Sequence, residues 1–490
     1  MINMRFLLII TLVGFQAASA WADSRTEVLE EMNNSASTNG IEDVKSWRIF
    51  FDGVLEITQT PQPISSRFNM NTVWPGMDGW AEVTRWAEEN EHMRGVFIES
   101  SKRTLVGFPY GSESVPDNYK AKDIVADIGV DGHLHLFNFG YVESVKLACL
   151  WSTAELYRLM DMGEFDSAIE LLMSELNVLR KFCDREFLQE QIAFMTVLDD
   201  ALSNTRDMLY TFKDSITAEQ FRFIAKTGIP SLRTDPARLL MPEGDYFVGE
   251  ALLRGLFTST GDPNPAKFRE VLTDIQIRKE PISRLGASRY WTYISLNHRG
   301  SEDSLKRLDK IYDDWWRRWK MRPFHPQLDV ESELKRSNQV TYAAVKLIMH
   351  DMQDLFYQRD LLTTQINGTA VSAALCGYKK HFGVYPRSVK MMYAQLLHRS
   401  NNYDLFHPIE MRSDRDWKLY INPSDKFLYR VLEKDTRIST KAGEVVVSKG
   451  QCLLYSVFAN NEDDRGLDGI EDLILWPSLR VLERNAGLLD

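Results

Sequence analysis

The spacing of apolar residues changes period along this chain, and the changes divide it. From about residue 140 to 365 apolar positions recur every three or four residues, the signature of helices with one buried face. In LACLWSTAELYRLMDMGEFDSAIELLMSELNVL the pattern predicts two helices either side of a turn at Gly163. Asp166 and Ser167 are the expected caps of the second, with Glu170 in its first turn. A third helix is expected over about 184–211, with Leu188, Ile192, Met195 and Leu202 on one face. Thr217 and Gln220 form a capping box, Gly228 stops that helix, and Pro230 prevents its continuation. Asp235-Pro236 and Asn264-Pro265 each predict a helix start. An amphipathic helix over 301–321 and a long one over 329–361 complete the series. Short connections between helices predict antiparallel neighbours in a bundle or solenoid.

The flanks read differently. Residues 23–46 are polar, with an NNSAST run, and predict a flexible leader. Residues 47–136 are mixed and aromatic-rich; RGVFIES and RTLVGFPYG predict strands, packed by Trp74, Trp80 and Trp86. The helical period ends at Gly383, inside YKKHFGVYP. Strand-like pieces follow in DWKLYIN, KFLYRVL, GEVVVS, CLLYSVF and LILWP, separated by polar turns. The expected class is therefore α+β: an all-α antiparallel domain over 140–365, then a helix plus small antiparallel sheet over 366–480.

The first residues change the picture of where the chain works. MINMRFLLIITLVGFQAASAWADS joins one positive charge, Arg5, to an apolar run of signal-peptide length and small-x-small sites ending at Ala20 and Ala22. This predicts export by a signal peptide over 1–22, to a periplasmic or extracellular location, with no transmembrane segment left in the mature chain. Loss of Arg5 takes the net charge from −11 to −12, which argues against nucleic acid or anionic membrane as the main partner. In an oxidising compartment the four cysteines invite two disulfides. Cys149 and Cys183 flank the helical hairpin, and Cys376 on the last helix could meet Cys452 on a strand.

Two resemblances follow from these stretches. LYRLMDMGEFDSAIELL resembles the helix-turn-helix unit of tetratricopeptide repeats, as a single copy. The ordered series YKKHFGVYP, NPSDKFLY, YSVFANN and EDLILW resembles the soluble domain of the type II secretion major pseudopilin over about 366–477. As a whole the chain resembles uncharacterised secreted bacterial proteins that join such a helical region to such a domain. The pseudopilin likeness implies structural calcium in the closing loop, with Asn460 and Asp472 at the matching positions and Asp463, Asp464 and Asp468 beside them. The chain departs from that family at Asn460, which lacks a charge, and in lacking a strongly apolar filament helix ahead of the domain.

No residue pattern names a reaction. There is no Gly-flanked serine, HExxH, phosphate loop or dinucleotide fingerprint. His133 and His135 in GVDGHLHLFN could share one face as zinc ligands, but spacing supplies no third. In WWRRW, Trp315, Trp316 and Trp319 could form a partner surface or pack the core. The sequence thus favours an exported, non-enzymatic interaction or assembly protein of the cell envelope, binding a protein or envelope component. The alternatives are an extracytoplasmic hydrolase with a site in the helical domain, and a structural subunit of a secretion or surface assembly. The hydrolase reading requires a deep pocket with converging carboxylates or histidines.

Overall fold

The computed structural model describes residues 24–65, 69–230, 232, 239–321, 325–393, 395–398, 427–458 and 462–489. The expected signal peptide, the Asp235-Pro236 helix start, the DWKLYIN strand and Asn460 lie outside the described residues.

Helices dominate, over 140–365 as the periodicity predicts and before and after it as well: α1 (Trp47–Leu55), α2 (Trp80–Glu89), α3 (His92–Lys102), α4 (Tyr141–Asp161), α5 (Phe165–Phe182), α6 (Leu188–Thr211), α7 (Gly244–Leu256), α8 (Thr273–Lys279), α9 (Arg284–Ser295), α10 (Ser301–Trp319), α11 (Ala343–Ile348), α12 (Gln353–Phe382) and α13 (Leu479–Asn485). A short pair of strands, β1 (Asp127–Ile128) and β2 (Phe137–Asn138), precedes α4. α4 and α5 form the expected antiparallel hairpin, with Gly163 in the left-handed region that closes the turn. The Thr217–Gln220 capping box is formed, and Asn264 caps its helix by accepting from Ala266 and Lys267 N–H. α6 and α12, the two longest of these helices, pack along each other at the centre. Every residue of α12 from Thr364 to Tyr378 is buried, so this helix shows almost no polar face. Its small residues make that burial feasible: a Cβ at Gly368 would lie 2.5 Å from the Leu475 side chain of the C-terminal sheet.

Several expectations need correction. The leader is not loose: residues 24–33 are helical, and Val28, Leu29 and Met32 enter the core. Arg25 ties it down through ion pairs to Glu113 and Asp127. RGVFIES is part of α3, because Met93, Phe97 and Ser100 bury one helical face. RTLVGFPYG forms no regular strand; Leu105 makes one isolated bridge to Lys45. α5 begins at Phe165, ahead of the expected caps, and α6 begins at Leu188. The long helix over 329–361 is broken into Glu333–Arg336, α11 and the start of α12. That last break has consequences, since it frees His350 from either helix.

The C-terminal change of period is real. Gly383 ends α12 with φ 75°, a conformation glycine adopts without Cβ strain. Beyond it β3 (Leu428–Val431), β6 (Cys452–Ser456) and β7 (Leu473–Trp476) form an antiparallel sheet in the order β3-β6-β7, with β6 central. β4 (Thr436–Ser439), which the polar sequence TRIS did not announce, pairs with β5 (Glu444–Val447) as a hairpin. α+β thus describes the architecture. One continuous hydrophobic core runs from Val28 to Trp476, and a small second core, including Ile438, Val445 and Leu453, fills the C-terminal module.

All four cysteines are buried free thiols. In the first pair the register explains it. Cys149 lies 14 residues before Gly163 and Cys183 lies 20 after it, a mismatch of 6 residues or about 9 Å along the hairpin. Cys149 instead faces Glu175, which is fully buried. Burial raises the Glu175 carboxyl to about 8, against the lowering influence of Ser152 and Cys149 beside it, and Oε1 has no hydrogen-bond partner. Its unfolded value is near 4.3, so the folded state holds the extra proton between these limits. Stability from this group is therefore present at low pH and lost as pH climbs from about 4.5 to 8, by on the order of a few kcal/mol. Glu175→Gln is expected to flatten that decline, leaving the variant more stable than its parent at pH 8; urea melts at pH 5 and pH 8 measure it.

Candidate functional site

The site grows from a loop that the chain can close only with special backbone. β1 and β2 pair antiparallel. Between them Gly129 and Gly132 take positive φ and let the chain double back, so that Gly129 and Val130 N–H both donate to Leu136 C=O. Leu134 plugs the loop into the core at 3% exposure, which holds His133 and His135 on either side of it. Their rings lie 5.6 Å apart, edge to face. The shared face expected from the sequence is thus met, by a tight loop and not by a strand.

The residue that spacing could not supply comes from 139 positions downstream. Asp274 stands in the first turn of α8, directly after a π-turn over Phe268–Leu272 that widens the helix, a deviation that recurs at functional sites. Its Oδ2 lies 3.2 Å from His135 Nε2 and 3.8 Å from His133 Nδ1. Two guanidinium groups reach the same carboxylate from the surface: Arg278 Nε donates to Oδ2 at 3.1 Å and Arg284 to Oδ1 at 3.1 Å. Burial raises the Asp274 carboxyl, but Arg278 and the two histidines outweigh it and hold it below the usual carboxylate range. Burial takes His135 down to about 4 despite Asp274, so the imidazole is neutral around pH 7.

His135 also lines a cavity of about 540 Å³. Leu136, Phe137, Phe187, Ile192, Val248 and Leu252 are among its apolar walls, with Ile348 closing one side. Polar side chains also line it: His135, Asp245, Arg278, Lys279 and His350. Asp245, in the first turn of α7, is 8% exposed. Its Oδ2 accepts the Leu188 N–H at 2.7 Å and so caps α6 from a neighbouring helix. Its Oδ1 faces His350 Nε2 at 3.9 Å. Burial raises Asp245 to about 6, against the Leu188 hydrogen bond that lowers it. His350 is held well below the ordinary histidine range, by desolvation first and then by the Lys279 charge. Above pH 6 the pair is therefore a carboxylate beside a neutral imidazole. Lys279 donates to Leu347 C=O at 2.7 Å, which keeps the ammonium beside the His350 turn.

One wall of this cavity follows directly on the turn between α5 and α6. Arg185, fully buried, donates to Phe108 C=O at 2.7 Å and Tyr141 Oη at 3.1 Å, pairs with Glu190 at 3.3 Å, and stacks 4.0 Å above the Tyr110 ring. Tyr110 and Tyr141 hydroxyls both donate to Glu190. This knot fixes the turn whose next residues, Phe187 and Leu188, form cavity wall.

Other residues singled out from sequence lie elsewhere. Trp315 and Trp319 are core residues at 1% and 9% exposure, and Trp316 is half-buried below Lys320. Trp315 and Trp319 therefore offer no open partner surface, whereas the Trp316 ring is partly exposed. In the acidic loop, Asp463 accepts from Arg465 N–H and the Tyr455 hydroxyl, and Asp468 accepts from Ile470 N–H. Asp472 is 1% exposed; its Oδ2 accepts the Gly466 N–H at 2.8 Å, and its Oδ1 is buried without a hydrogen-bond partner. The Asp464 charge lies close enough to Asp472 to raise its carboxyl. No helix among the described residues is long and apolar enough to cross a membrane. Of the polar cavity residues only His135 was singled out from sequence; Asp245, Lys279 and His350, and Asp274 beside His135, carry no local motif.

No family model, curated protein or solved structure matches the chain.

Proposed function

We propose that the chain is an exported hydrolase of the periplasm or extracellular space, acting on a small ester with an apolar acyl part in the cavity beside His350. One observation carries this reading: a cavity of about 540 Å³ with largely apolar walls, lined also by a carboxylate, two imidazoles and two cationic side chains. Sites that take small molecules commonly combine such a volume with a few convergent polar groups. In this reading His350 takes a proton from water as the water oxygen bonds to the ester carbonyl carbon. Asp245 steadies the imidazolium that forms, and the Lys279 or Arg278 cation stabilises the oxyanion. The carbon–alkoxy bond then breaks, and His350 returns its proton to the leaving alcohol. A panel of p-nitrophenyl esters from acetate to decanoate tests the proposal. Turnover that rises with acyl length is expected; no turnover of any member would overturn it.

A second reading, an interaction or assembly protein of the cell envelope, is favoured by a different observation. Ile282, Leu285, Tyr290, Tyr293 and Leu296 stand exposed along α9 and its ends. In that reading the stripe contacts a second copy of the chain. Concentration-dependent self-association, abolished by Tyr293→Asp, would support it; a monomer at all concentrations by sedimentation would remove it.

Calcium remains a proposal for the acidic loop, as a structural ion held by Asp472 with Asp463, Asp464 or Asp468. Its support is the orphaned Asp472 Oδ1 together with the charges of Asp464, Asp463 and Asp468, close enough to raise the Asp472 carboxyl further after burial has done so. Calcium wants several hard oxygens, which such a turn can supply. A higher melting temperature in millimolar calcium than in chelator is expected, and equal melting temperatures would exclude the ion.

A further inference from the structure

We propose that His133, His135 and Asp274 form a binding site for a zinc-type divalent ion beside the cavity that His135 lines. One donor atom from each residue lies within 4.8 Å of the other two, and no other group of three histidine, cysteine or carboxylate ligands meets that limit among the described residues. The separations suit a tetrahedral ion. Zinc bonds of about 2.0–2.2 Å to nitrogen and oxygen put neighbouring ligand atoms roughly 3.4 Å apart. The two edges to Asp274 are 3.2 Å and 3.8 Å and the edge between the histidines is at most 4.8 Å, so side-chain movement closes the three ligands onto an ion. Two imidazoles and one carboxylate make a borderline-soft donor set, which selects zinc and its transition-metal neighbours over calcium or magnesium. Three protein ligands leave a coordination position for water or substrate, as catalytic zinc sites do.

Arg278 and Arg284 argue for a different role of Asp274, as the anion of a surface salt-bridge cluster. Their exposure decides the matter. Arg278 is 51% and Arg284 70% exposed, whereas the carboxylate they reach is 10% exposed. Exposed pairs of this kind are weakly held, so an entering cation can displace them. The two histidines are not needed to satisfy Asp274, which both guanidiniums already serve, yet the strained loop at 129–132 presents both rings to it. The metal site stands on this geometry alone; only its use in ester hydrolysis rests on the function proposed above.

The test is titration of the full mature chain with cobalt(II), which reports tetrahedral coordination by its visible absorption. One equivalent is expected to bind with that signature. His133→Ala, at a half-exposed ring whose loss leaves the core intact, should weaken binding at least tenfold. Arg284→Ala removes a competing cation and should tighten it severalfold. Absence of stoichiometric cobalt and zinc binding in the parent would overturn the site, as would binding unchanged in His133→Ala. Neither readout involves turnover, so an inactive protein that binds cobalt in this way would sink the hydrolase reading and leave the metal site standing.

Discussion

Arg185→Ala is expected to destabilise the protein by about 3–5 kcal/mol, the cost typical of removing one partner from a buried ion pair. The guanidinium is completely enclosed, and its loss leaves the Glu190 carboxylate inside the core with two tyrosine hydroxyls as its remaining donors. Phe108 C=O would lose its donor as well. Burial already pushes the Glu190 carboxyl upward, and the Arg185 charge is the strongest influence holding it down. The variant should therefore protonate Glu190 and unfold at markedly lower urea. Replacing both charges, as Arg185→Met with Glu190→Gln, should recover part of the loss, since no unpaired charge remains. A single variant within 1 kcal/mol of its parent, against the several expected, would show that the knot contributes little. Because Phe187 and Leu188 follow directly, the same change should also loosen the cavity wall.

The second large effect is on chemistry. His350→Ala is expected to lower ester turnover by roughly 10²–10⁴-fold, the range that a positioned general base supplies. Folding should be little changed, because the ring is 43% exposed and lies between two helices. Asp245→Asn is expected to reduce turnover less while costing some stability, since Asp245 also caps α6. In the parent the rate should climb as pH rises through about 6, where Asp245 gives up its proton. Steady-state rates from pH 5 to 8, with melting temperatures for each variant, separate the two roles. Turnover retained in His350→Ala would remove the base from the scheme.

How much of this was legible beforehand depended on whether a feature was local. The capping box at Thr217, the turn at Gly163 and the helix end at Gly383 depend on a few adjacent residues, and each is where the sequence puts it. Short apolar runs mislead because period alone cannot separate a buried helix from a strand over so few residues, as in RGVFIES. α12 hid its central place because small residues, Gly368, Ala370, Ala373 and Ala374, lower its apparent apolarity while allowing close packing. The site was harder still. His133 and His135 were visible as a pair, but Asp274, Asp245 and His350 arrive from three distant elements. His350 depends on a helix break that the sequence 329–361 does not advertise. A π-turn before Asp274 was likewise invisible, because its residues FREVL read as ordinary helix.

The central claim is that the cavity beside His350 receives the acyl part of an ester. The most direct measurement is a crystal structure of the protein with a medium-chain alkyl phosphonate, whose tetrahedral anion mimics the oxyanion. The account predicts the alkyl chain between Phe187, Leu252 and Ile348, with the phosphonate against His350 and Lys279. An empty cavity at saturating ligand, or a ligand bound elsewhere on the molecule, would contradict it.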